Sequence, residues 1–80
     1  MNIVFSKHSL LKLGQRGISR EKVMDTLESP DYILPSYSDR MKAYNKFGNL
    51  YLKVVFKREE GDIFVITQYW EEKFQPPKNV

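Results

Sequence analysis

Cysteine is absent from this 80-residue chain, and histidine occurs once, as His8. Without a thiol there is no disulfide scaffold, no zinc–thiolate centre and no cysteine nucleophile. A lone imidazole cannot build a histidine-rich metal site, and Glu59, Glu60 and Asp62 are already explained by the turn they occupy. Neither a metal nor a cofactor is therefore expected. Long apolar runs are missing too: the longest covers four residues, Ile63 to Ile66, against the roughly 18 that a membrane-crossing helix needs. Ser6, Lys7 and His8 interrupt the apolar start, which does not read as a signal peptide. Internal repeats, low-complexity stretches and a serine-nucleophile elbow are also lacking. The expectation is a soluble cytoplasmic protein with no membrane partner.

What is present is an ordinary globular composition, 41% hydrophobic and 29% charged, which excludes wholesale disorder. The length has room for one domain, expected over residues 1–72, followed by a tail over 73–80 that contains Pro76-Pro77. The net charge is only +3, but it is unevenly spread. Residues 1–22 hold five basic side chains against one acidic, and residues 40–58 hold six against none. Acidic blocks follow each of them. The two basic blocks either meet in the fold as one positive patch or remain separate solvated faces.

Hydrophobic spacing predicts a short opening strand over 2–5, then a helix over Lys7 to Arg16 capped by Ser6 and closed by Gly17. Ser19 caps a second helix with Val23, Met24 and Leu27 as its apolar stripe, ended by Ser29-Pro30. From Tyr32 the period changes to two. Arg40 to Phe47 and Leu50 to Lys57 alternate around a Gly48-Asn49 turn, and Ile63 to Trp70, apolar on both sides, reads as a central strand. The fold class is thus α+β, order β-α-α-β-β-β-β, with two N-terminal helices packed on one face of an antiparallel sheet.

Two groups of residues could carry chemistry. On the first helix His8, Lys12 and Arg16 fall within about 80° of one another, opposite the leucines. They form either a row facing RNA, with His8 able to transfer protons at neutral pH, or an ordinary solvated face. On the strands, Arg40, Lys42, Tyr44 and Lys46 share a sheet face with Tyr51, Lys53 and Lys57. Side-by-side cations repel unless they bind an anion, and the tyrosines offer stacking surfaces for bases. Protection of exposed strands by lysine would give the same pattern.

The runs Phe5-Ser6-Lys7-His8, Gln15-Arg16-Gly17-Ile18-Ser19-Arg20, Leu27-Glu28-Ser29-Pro30-Asp31 and Thr67-Gln68-Tyr69-Trp70 together resemble a small domain-of-unknown-function family. That family is similar in element order to the BrnT-type and RelE/ParE-type toxins of bacterial toxin–antitoxin pairs. The resemblance implies metal-independent RNA cleavage, in which the ribose 2′-hydroxyl attacks the adjacent phosphate and leaves a cyclic phosphate and a 5′-hydroxyl. His8 would then be the acid/base, Arg16, Arg20 and Lys53 would stabilise charge, and Tyr69 would orient substrate or share proton transfer. Lys12, Arg40, Lys42, Tyr44, Lys46, Tyr51 and Lys57 would contact RNA. The implied partners are RNA, free or as ribosome-bound message, and a cognate antitoxin. A non-catalytic module binding RNA or protein on the same scaffold is the alternative.

Overall fold

In the computed structural model, which describes residues 2–77, the chain runs β1 (Ile3–Phe5), α1 (Lys7–Arg16), α2 (Arg20–Glu28), β2 (Tyr32–Pro35), β3 (Met41–Phe47), β4 (Leu50–Glu59) and β5 (Asp62–Glu71). Local chemistry sets the helix ends. The Ser6 hydroxyl accepts from the Ser9 N–H at 3.0 Å, and Gly17 ends α1 in the left-handed conformation at φ 63°. Ser19 caps α2 in the same way, accepting from the Lys22 N–H at 3.1 Å. Beyond the helices, two tight turns join the last three strands. The second is Glu60-Gly61, both left-handed at φ 51° and 85°, the geometry that suits a two-residue hairpin.

The strands form one sheet in the order β1-β5-β4-β3-β2. β2 to β5 pair antiparallel, as expected. β1 does not: it lies parallel to β5, with Ile3 opposite Ile63 and Phe5 opposite Val65, so the sheet is mixed. The cause is the path of the chain. The two helices carry it across one face to the far edge, and three reversals from β2 bring β5 back beside β1 in the same direction.

β5 is therefore flanked on both sides only where β1 accompanies it, and β4 is the central strand of the five. Past that point α1 covers the open edge. The Ser6 N–H donates to the Val65 carbonyl and the Ser6 hydroxyl to the Ile66 carbonyl, each at 3.1 Å. Farther along, Arg16 donates to the Gln68 carbonyl at 2.8 Å, and the Trp70 indole donates back to the Arg16 carbonyl at 3.1 Å. The Ser6 backbone N–H and the Ser6 and Arg16 side chains thus meet carbonyls of β5 that an exposed edge would present to another strand.

The core lies between the helices and the sheet. Leu13, Ile18, Val23 and Leu27 pack from the helical side against Ala43, Leu52, Val54, Phe56, Ile63 and Val65. One polar pair is buried with them: the Ser9 hydroxyl donates to Gln68 Oε1, and Gln68 Nε2 donates to the Ser9 carbonyl at 2.9 Å. A β-bulge between Val55 and Phe56 sets Val55 opposite Thr67 but Phe56 opposite Val65. With the extra residue, Ile66, absorbed there, Ile63, Val65 and Gln68 face the core while Thr67, Tyr69 and Glu71 face away from it.

Candidate functional site

The helix-free face of the sheet carries the candidate site. Cross-strand register places Lys42 opposite Val55, Tyr44 opposite Lys53 and Lys46 opposite Tyr51. The next pairing sets Lys53 opposite Tyr69. An open pocket of about 360 Å³ lies there, lined by Ser36, Tyr37, Arg40, Lys42, Lys53, Val55, Thr67 and Tyr69. Arg16 reaches this face from α1 around the edge of β5, donating to the Thr67 hydroxyl at 3.1 Å. Its guanidinium carbon lies 5.6 Å from the centre of the Tyr69 ring, and Lys53 Nζ lies 5.0 Å from the same centre. Tyr69 thus stands between two cations, each at a distance where a ring attracts positive charge. His8 Nε2 is 3.2 Å from the Thr67 hydroxyl, so one threonine is shared by the imidazole and the guanidinium.

The electrostatics fix which groups are charged. Partial burial of Lys53 works against its ammonium, but the neighbouring Tyr69 and Tyr44 hydroxyls and the Glu71 carboxylate outweigh it, and its pKa stands above the ordinary 10.5. Lys53 is a permanent cation at neutral pH, unable to act as a base. Burial pushes the Tyr44 phenol above its ordinary 10.0, with Lys53 opposing and Glu71 and Tyr69 assisting, so this phenol stays neutral. Arg16, Arg40, Lys42 and Lys53 form no salt bridge among the described residues. Unpaired cations around a pocket of this size suit an anionic group such as a phosphate.

A family model described as Domain of unknown function (DUF4258) matches residues 5–70. The chain belongs to this family. Among solved structures, the DUF4258 chain is similar to the ribonuclease toxin BrnT of Brucella abortus, with a TM-score of 0.70 at 18% identity. The match covers 91% of this chain and 99% of that one, so the two share a fold over nearly their whole length. No curated protein sequence matches the chain. No helix among the described residues is long and apolar enough to cross a membrane, and none of these residues form a His/Asp/Glu cluster able to hold a metal ion.

His8, Arg16, Lys53 and Tyr69, expected to be catalytic, lie around Thr67 or the pocket. Of the residues expected to contact RNA, Arg40 and Lys42 line the same pocket. Lys46 is exposed on that face, and Tyr44 and Tyr51 lie next to it beneath Phe74. Lys12, Arg20 and Lys57 join neither the pocket lining nor the aromatic patch beside it. Lys12 donates to Gln15 at 2.9 Å on α1, and Arg20 lies over Phe5 at 4.8 Å from the ring centre. Lys57, set beyond the bulge, pairs with Glu59 at 2.6 Å. Of the leucines opposite the helix stripe only Leu13 is buried, while Leu10 and Leu11 are 44% and 61% exposed, because α1 sits at the sheet edge. Sequence reasoning missed Thr67, although strand alternation places it on the face of Tyr69. It also missed Tyr37, a pocket residue left 79% exposed just before the left-handed Ser38 and Asp39.

Proposed function

We propose that this protein is a metal-independent endoribonuclease of toxin–antitoxin type, with RNA as substrate and a cognate antitoxin as partner. The observation that carries this reading is the gathering of Arg16, Lys53 and His8 around Thr67 and Tyr69 at an open, cation-walled pocket. The fold shared with a ribonuclease toxin supports it. In-line attack by a ribose 2′-hydroxyl requires a proton acceptor, a proton donor for the departing 5′-oxygen, and cations that hold the crowded phosphate. Lys53 and Arg16 hold the phosphate from either side of Tyr69. His8 transfers protons, oriented by its contact with Thr67, and the Tyr69 hydroxyl positions the phosphate oxygens. Arg40 and Lys42 bind the flanking backbone. The cytoplasm is the compartment in which this chemistry finds its substrate, including message on the ribosome.

The test is end-labelled RNA incubated with the purified protein in EDTA, beside folded His8→Ala and Lys53→Ala proteins. The expected result is a set of cyclic-phosphate ends that each substitution reduces by about 100-fold or more. RNA that is bound in a salt-dependent way but never cut would instead assign the pocket to a non-catalytic binding module.

A further inference from the structure

The tail after β5 folds back over the helix-free face and inserts one side chain. The Phe74 ring stacks on Tyr44 with centroids 3.7 Å apart and planes 12° from parallel. Tyr32 and Tyr51 present their rings at 5.7 and 5.0 Å, closing the sides of a cage. Tyr44 is for that reason 3% exposed although it points away from the helices. The cage adjoins the Lys53–Tyr69–Arg16 cluster, since Tyr44 is the cross-strand partner of Lys53 and Lys53 that of Tyr69.

Two features separate this arrangement from ordinary core packing. Glu71, opposite Tyr51 on this face, has its Oε2 atom buried with no hydrogen-bond donor among the described residues. A phenyl ring has no N–H to offer it, and a buried acceptor without a partner is destabilising. In addition, no hydrogen bond among the described residues ties the segment 72–77 to the sheet, so Phe74 is the tail's main attachment.

We infer that the Tyr32–Tyr44–Tyr51 cage is a nucleobase subsite next to the phosphate-binding cations, filled by Phe74 until single-stranded RNA displaces it. The inference rests on the proposed action on RNA and specifies how one nucleotide is held. A base stacked on Tyr44 takes the flat geometry that Phe74 now takes, and the exocyclic amine of adenine, guanine or cytosine, or the ring N–H of uracil, supplies the donor that Glu71 lacks. Lys53 lies within one cross-strand step for the neighbouring phosphate. The tail must leave before the base enters, so the apparent affinity is lowered by the fraction of molecules in which it is seated.

The experiment measures binding of a mixed-sequence single-stranded RNA hexamer by fluorescence anisotropy. Its riboses are 2′-O-methylated, so it binds but cannot be cut. Phe74→Ala is expected to bind about tenfold more tightly than the unaltered protein, and Phe74→Ala combined with Tyr51→Ala to lose that gain. Phe74→Leu, which fills the cage without stacking well, is expected to fall between them and guards against misfolding of the alanine variant. Equal or weaker binding by folded Phe74→Ala and Phe74→Leu would overturn the subsite. If cleavage of ordinary RNA depends on Lys53 while the Phe74 variants bind unchanged, the subsite fails and the ribonuclease reading stands. If the variants bind more tightly but no RNA is cut, the subsite stands and the ribonuclease reading fails. Absence of RNA binding by every variant would overturn both.

Discussion

Lys53 and Tyr44 face each other across β3 and β4, and both have pKa values raised above their ordinary 10.5 and 10.0. In each case the folded state holds its proton more tightly than the unfolded chain. Stability from this pair is complete below the unfolded values and is lost as pH rises through the folded ones. Thermal melts should therefore show a steep fall in Tm above about pH 10, with little change between about pH 7 and 9. Tyr44→Phe keeps the stack on Phe74 but cannot ionise, so its alkaline fall should be shallower. An identical fall in both proteins would count against the assignment. At this scale the chemistry-bearing residues were legible because basic and aromatic side chains announce themselves in an alternating strand. Thr67 and Phe74 were not. A threonine matters only once His8 and Arg16 are known to reach it, and the cage around Phe74 draws on three strands and the tail.

Among the elements, α1 decides whether Arg16 reaches the site, and both its C-terminal cap and its buried Ser9–Gln68 pair bear on its position. Gly17 ends it at φ 63°, where an added Cβ would meet no atom within 4 Å, so the penalty for Gly17→Ala is backbone strain alone. Chemical denaturation should show a loss of about 1–2 kcal/mol, and Gly17→Asn should recover part of it because asparagine tolerates this conformation better. Ser9→Ala leaves Gln68 Oε1 buried without its donor, which should cost about 1–3 kcal/mol. The helices were legible from sequence because caps, glycine and proline act within a few residues of themselves. The parallel placement of β1 was not, because it depends on the path of about 60 intervening residues. The same gap hid the open edge of β5, and with it the reason that a helix-borne arginine stands on the far face of the sheet.

Across the whole molecule, the fold decides which of the many cations act together. The basic blocks at residues 1–22 and 40–58 meet through Arg16 and the strand residues, but only in part. Among the described residues Arg40, Lys42 and Lys53 line the pocket without a salt bridge, whereas Lys57 is paired with Glu59 and Arg20 lies over Phe5. Net charge alone would make these cations interchangeable for RNA binding; the geometry does not. Each phosphate neutralised on a single strand contributes about −0.7 to the slope of log affinity against log salt. Arg16 and the three pocket cations should together give a slope of about −3 for the uncleavable hexamer. Lys42→Ala should reduce its magnitude by about 0.7, and Lys57→Ala and Arg20→Ala should leave it unchanged. Titrations between about 50 and 200 mM salt would check this. Equal reductions from Lys42→Ala and Lys57→Ala would mean that RNA is attracted by the basic face as a whole, and the pocket would then lose its claim to hold the phosphate.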